Sequence, residues 1–426
     1  MTTSTNKRRG VRAIPTPHPD TTPRQLIERA VAMRPLLRDR QEETEANRRV
    51  SDETNDKLVE AGFYRCLQPK RFGGYEFDLP TFAKMAIEIS RGCPATGWVM
   101  TFTAGHTHVF AKFAEDAQVW GYGDKGEFRA PMSSGSASAK QVEGGYVING
   151  YFDYASGCDV ATHFFGGANV ISDDGEQKPR LNVLFQKSDL EIIDNWQIMG
   201  MRGSGSKRFQ ANDVFVPDVR VSQRDPLFPI DERLQPGYGV HKGIIYAGPS
   251  MNILMCEIAA VAVGTAWAAL DAYEELMRAR VTRAPVPTAR TETPEFQRRY
   301  GEALSLIKTA ESALIGCCAE YMELCRLDAE EDVRFTPEAS QAIVLVDQQV
   351  TRLAGEAVER LFLSAGSSAA RPGTQIERYF RDMATLRTHI TLQFDRNWES
   401  VARTHFGVGP VGNMGGFAPP PVHTAT

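Results

Sequence analysis

The spacing of apolar residues changes character twice along the chain, and this constrains the fold more than any other feature. From Thr22 to about Phe113 the apolar positions recur at helical intervals. From about Arg129 to Ser222 they alternate, as in half-buried strands. From about Pro249 to Arg403 the helical interval returns in long stretches. Strands and helices therefore follow one another in blocks, which excludes a doubly wound sheet. The expected class is α+β and mostly α. It comprises an N-terminal helical domain over 22–128, a central antiparallel, barrel-like β-domain over 129–222 and a C-terminal helical bundle over 240–410. A Pro- and Thr-rich arm over 1–21 is expected to be disordered, and a tail over 411–426 is similar.

Local signals place the elements. Thr22-Pro23 is an N-cap followed by proline at the first helical position. Ser51 caps a second helix that stops at Gly62, and Leu79-Pro80-Thr81 opens a third. After Cys93-Pro94 an apolar helix carries His106, Thr107 and His108. Strands are expected over Lys140–Asn149, Leu181–Gln186, Leu190–Asp194 and Asp213–Val221, with Gly144-Gly145 as a hairpin turn. The bundle reads as helices over Glu257–Arg280, Pro294–Asp328, Thr336–Ser364 and Gln375–Gly407.

Charge and cysteine content narrow the function. The net charge is −5, from 48 basic and 53 acidic residues, with no basic tract for a nucleic acid. The longest apolar candidate, Ile258–Leu270, reads as a buried helix rather than a membrane span, which needs roughly 18 residues. The basic patch near the start has no apolar segment after it, so no signal peptide is expected. Seven cysteines without CxxC spacing point to a reducing cytoplasm.

Two segments carry a family likeness. Trp196-Gln-Ile-Met-Gly-Met-Arg-Gly-Ser-Gly-Ser206 with Val214-Phe-Val-Pro217, and Ile376-Glu-Arg-Tyr-Phe-Arg-Asp382, resemble the signatures of the acyl-CoA dehydrogenase superfamily. Phe72-Gly-Gly74, Gly97-Trp98, His106-Thr-His108, Ser156-Gly-Cys-Asp159, Ser204-Gly-Ser-Lys207 and Phe380-Arg-Asp382 with His389 resemble its two-component, flavin-dependent monooxygenases. The dehydrogenases' Glu-Gly-Thr-like base motif is missing from Leu386–Asp395, which favours oxygenation.

The resemblance implies an oxygenase component that takes reduced FMN or reduced FAD from a separate NAD(P)H:flavin reductase. With O2 it would form a C4a-hydroperoxyflavin and hydroxylate an aromatic, phenolic substrate. It implies that Ser156 bonds the flavin N5, that His106 deprotonates the phenol and that His389 is a second active-site histidine on a late bundle helix. It places Trp196, Arg202, Ser204 and Ser206 beside the isoalloxazine. Arg280 would bind the flavin phosphate, with Ser367 and Ser368 reaching the same phosphate from a neighbouring subunit of a homotetramer. A family arginine near the flavin pyrimidine falls at Met251, so the choice of flavin stays open.

Blander readings stand beside these. Ser156 before Gly157 suits a hairpin turn, and helix histidines are often ordinary core residues. His106 and His108 point roughly 200° apart on a helix, which argues against a shared metal. The rival functions are an acyl-CoA dehydrogenase-like FAD oxidoreductase, an N-hydroxylating flavin monooxygenase and a non-enzymatic helical assembly protein.

Overall fold

The computed structural model describes residues 14–171, 180–229, 231–283 and 285–408. The first block is six helices: α1 (Pro23–Asp39), α2 (Gln41–Asn47), α3 (Asp52–Glu60), α4 (Leu79–Gly92), α5 (Pro94–Phe110) and α6 (Glu115–Tyr122). Their starts follow the sequence signals. Thr22 and Gln25 form a reciprocal capping box on α1, and Ser51 accepts from the Thr54 amide at α3. Of the expected disordered arm, residues 1–13 lie outside the described residues. Residues 14–21 instead lie on the helical block, where Tyr75 donates to Pro17 O and Thr16 to Gly74 O.

Seven strands follow: β1 (Ser134–Val142), β2 (Gly145–Ala155), β3 (His163–Ile171), β4 (Leu181–Gln186), β5 (Glu191–Ile193), β6 (Lys207–Pro217) and β7 (Val221–Ser222). They form one sheet in the order β5-β6-β2-β1-β3-β4-β7. The expectation of a purely antiparallel sheet is corrected, because β1 and β3 run parallel. Strand β3 went unread in the sequence. Its residues HFFGGANVI are buried over five consecutive positions, so no alternation marks it.

The bundle consists of α7 (Ser250–Ala279), α8 (Pro294–Glu330), α9 (Pro337–Ala365), α10 (Gln375–Leu386) and α11 (Phe394–His405). The single helix expected over Gln375–Gly407 is two, with a tight turn at Ile390–Leu392 between them. Helix α7 is longer and more apolar than its sequence reading. It alone among the described helices has the length and hydropathy to cross a membrane, but 94% of its apolar window is buried inside the fold. It lies at the centre, against α4, α5, α8, α9 and α10. Its apolar side chains join those of α5 and α10 in one core, so the face of α5 that meets the sheet is fixed from behind.

Candidate active site

A cavity of about 490 Å³ opens where α5, the sheet, the 225–228 loop and the segment after α10 converge. Helix α5 supplies Trp98, Phe102 and His106, which stand one turn apart on a single face. Ser156 comes from the turn after β2. Gly157 behind it has φ +75°, and a Cβ there would meet Val99 Cγ1 at 2.6 Å, so the turn carrying Ser156 needs glycine. Trp196, Ser204 and Ser206 come from the segment between β5 and β6. That segment is tied to α10, where Asp382 accepts from the Met201 amide at 2.6 Å and Thr385 from the Gly200 amide at 3.0 Å.

The hydroxyls form a chain. Trp98 Nε1 donates to Ser156 Oγ at 3.0 Å, Ser156 Oγ and Ser206 Oγ are 2.7 Å apart, and Ser206 Oγ and Ser204 Oγ are also 2.7 Å apart. Beside them the Trp196 Nε1–H is buried without a partner among the described residues. A buried donor left unpaired is costly. This donor, the hydroxyl chain and the aromatic walls fit a flat, heteroatom-rich ring such as a flavin.

Two histidines face this space in opposite tautomers. His106 is buried, and its Nδ1–H donates to Ala130 O at 2.8 Å, which leaves Nε2 as a bare lone pair. Burial pushes its pKa down to about 4, against the opposing bond to Ala130, so the ring is neutral. His389 accepts at Nδ1, from Thr391 Oγ1 at 2.8 Å and the Thr391 amide at 3.4 Å. Its proton therefore sits on Nε2. The residue is half-buried, and its ring lies against Trp98 and Phe102, at 5.6 and 6.3 Å between centroids. Burial pushes it too down to about 4. His389 is not on a helix, as expected from sequence, but caps the tight turn that follows α10.

The remaining sequence candidates lie elsewhere. His108 faces away from the cavity, bonded through Nε2 to Ile245 O and through Nδ1 to Ser250. Arg202 borders a neighbouring small recess, 3.8 Å from Glu45. Met251 is buried in the bundle core. Arg280, Ser367 and Ser368 are remote from the cavity. Arg280 Nη1 donates to Ser368 Oγ at 2.5 Å within the same chain. The pair forms because the turn after α9 comes back over the end of α7, where Arg290 Nη1 holds Ala365 O at 3.2 Å. Ser368 precedes α10, and Leu386, which lines the cavity, ends it. The twelve residues of α10 between them span roughly 18 Å.

Among the lining residues to which the sequence reading gave no role are Trp98, Phe102 and Arg180. The spacing of Trp98, Phe102 and His106 could have found the first two. Arg180 carried no signal.

A helical block, a sheet and a long-helix bundle around such a cavity define the acyl-CoA dehydrogenase class of flavoenzyme. Family models for the acyl-CoA dehydrogenase N-terminal and C-terminal domains match residues 23–122 and 256–394. The flavin-dependent monooxygenase, oxygenase subunit HsaA, of Rhodococcus jostii (strain RHA1) is 33% identical over 90% of this chain and 98% of its own. The p-hydroxyphenylacetate 3-hydroxylase oxygenase component of Acinetobacter baumannii is 28% identical over 92% of this chain and 91% of its own. The crystal structure of 3-HSA hydroxylase from Rhodococcus sp. RHA1 superposes with a TM-score of 0.82 at 30% identity, covering 92% of this chain and 98% of that one. The chain belongs to the family of oxygenase subunits of flavin-dependent monooxygenases.

Proposed function

We propose that the protein hydroxylates a phenol with reduced FMN or reduced FAD and O2, and that His106, Ser156 and His389 carry the reaction. The observation that carries this reading is the pair of opposite tautomers in one cavity: His106 offers a lone pair and His389 an N–H. The neutral His106 Nε2 takes the phenol proton, which raises electron density on the ring carbon to be hydroxylated. His389 Nε2–H donates into the same space. Ser156 is the hydroxyl placed to bond the flavin N5, with Trp196, Ser204 and Ser206 around the ring. When bound, the reduced flavin supplies the electrons that activate O2 and passes one oxygen atom to the substrate. Phe165, Leu227 and Phe228 line the cavity and exclude water. Lys112 anchors the chain beyond the 225–228 loop by donating to Tyr246 O, Gly248 O and Glu232.

The dehydrogenase reading finds less support. Asp225 is the only carboxylate among the described lining residues, and its Oδ1 already accepts from the Leu227 and Phe228 amides. An N-hydroxylating activity has no observation in its favour. The separation of Arg280, Ser367 and Ser368 from the cavity suits a flavin whose phosphate end lies on a neighbouring subunit, hence a homotetramer. Arg202, beside the ring-binding segment, completes the proposed contacts. The partner is an NAD(P)H:flavin reductase, and the setting is the cytoplasm.

The deciding experiment mixes the protein and reduced flavin with oxygenated buffer in stopped flow, with and without a phenol, and analyses products. Incorporation of one oxygen atom from labelled O2 into the phenol is the expected result. Return of oxidised flavin with no hydroxylated product from any of a phenol panel would remove the reading.

A further inference from the structure

One lining residue has no part in the reaction as derived. Arg180 precedes β4, and its guanidinium lies over β3, with Nη2 donating to Gly167 O at 3.1 Å. It reaches this place because residue 167 has no side chain. A Cβ there would stand 2.2 Å from Arg180 Nε. Gly167 pairs with Asn182, which also lines the cavity. Phe165 and Gly167 are two apart on β3, so they share the face turned to the cavity.

This fixes where the guanidinium sits relative to the base. The Phe165 ring is 6.4 Å from the His106 ring, edge to face. Gly167 is one strand repeat further along, roughly 7 Å. A guanidinium covering it stands on the order of 10 Å from His106.

Arg180 is the only lysine or arginine among the described residues that line the cavity. Its guanidinium makes no ion pair with a described carboxylate, and its one described bond is to Gly167 O. Asp225 is the nearest acidic group on the rim, but its Oδ1 is bonded to the two amides of its own turn. Among the described residues the remaining N–H groups of the fork have no partner, and a fork of N–H donors matches a carboxylate. A coenzyme A tail would call for several cations, and the described lining residues hold one.

We propose that Arg180 is a specificity-determining residue, selecting phenols that carry a side-chain carboxylate. The proposal deepens the hydroxylase reading and rests on it for the orientation of the ring. With the phenol hydroxyl at His106, the carboxylate reaches the Arg180 fork across the Phe165 ring. The reacting carbon is then set by both ends of the substrate, and a neutral alkylphenol lacks the second anchor.

The test is calorimetric titration of the full-length protein with 3-(4-hydroxyphenyl)propionate and with its amide, which differ only in charge and hydrogen bonding at the tail. The wild type is expected to bind the acid at least tenfold more tightly, as for a hydrogen bond to a charged group. Arg180→Gln should abolish the preference, and Arg180→Lys should restore part of it. Equal binding of acid and amide by the wild type, no binding of the acid, or a preference that survives Arg180→Gln overturns the proposal. Turnover of both compounds with reduced flavin is measured alongside. An acid preference without hydroxylated product would remove the hydroxylase reading and leave the selectivity standing.

Discussion

Trp98 Nε1 donates to Ser156 Oγ at 3.0 Å, joining helix α5 to the turn after β2. The bond occupies one lone pair of the serine oxygen. Ser156 Oγ also lies 2.7 Å from Ser206 Oγ, whose other neighbour is Ser204 at 2.7 Å. Trp98 takes one lone pair of Ser156 and fixes the position of the hydroxyl, which keeps a lone pair and a hydrogen for Ser206 and the flavin N5.

Trp98→Phe tests this. The replacement keeps an aromatic ring against Phe102, whose ring centroid is 4.1 Å away, and removes only the donor. Loss of one neutral hydrogen bond, about 1 kcal/mol, should speed the return of oxidised flavin severalfold and raise peroxide release. Ser156→Ala should do so more strongly. A Trp98→Phe protein with wild-type oxidation kinetics would show that Ser156 needs no such support.

The state of His106 sets the acid limit of the reaction. Burial lowers its pKa from 6.5 to about 4, so Nε2 remains a free base well into the acid range. The acid limb of kcat/KM for a phenol should therefore fall near pH 4 to 5 rather than near 6.5. The same shift acts on stability. An unfolded histidine takes up its proton at the higher pKa, so acid favours unfolding as pH drops from 6.5 to about 4. His106→Asn should flatten the fall in Tm over that window. It should also cut hydroxylation by roughly 10²–10⁴-fold, with flavin affinity unchanged. Weakened flavin binding would instead assign His106 to the cofactor.

How much of this was legible in the sequence depended on how local each signal was. Caps such as Thr22 and Ser51 act through residues three positions away, and the sequence showed them directly. His106 and Ser156 stood out through a family likeness, and the structure brings both to one cavity. His389 was assigned to a helix because its neighbours carry helical spacing. Its side chain bonds the Thr391 amide two residues on, which turns the chain instead. Strand β3 was hidden because both its faces are covered. Arg180 depends on a glycine thirteen residues away, and Arg280 on a serine eighty-eight away. No local pattern encodes such pairs.

Glu257 shows a second, opposite pH effect. It sits on α7 against Gly105 of α5, fully buried, with neither oxygen bonded to any described residue. Burial holds its pKa well above the ordinary carboxylate range, so the folded chain keeps the proton. An unfolded glutamate releases it near 4.5, so this residue's stabilising share is lost as pH rises above that point. Glu257→Gln preserves shape and removes the titration. Its Tm should match the wild type near pH 4.5 and exceed it at pH 8. A variant less stable than the wild type at pH 8 would mean that the carboxylate is ionised and paired.

The distance between the cavity and the Arg280–Ser368 pair makes the last prediction. Ser368 stands before α10 and Leu386 ends it, and the helix between them is roughly 18 Å long. If the flavin ring and phosphate belong to different subunits, each site needs His106 from one chain and Arg280 from another. His106→Asn and Arg280→Ala are each expected to be nearly inactive at low flavin concentration, for different reasons. Co-expressed in equal amounts and purified together, they should recover activity. In a random pairing half the dimers are mixed, and each mixed pair has one site with both defects and one with neither. Roughly a quarter of all sites are then intact. A site built within one chain would show no recovery, because every chain carries one of the two defects. Recovery near a quarter of the wild-type rate would establish the shared site, and with it the need for an oligomer.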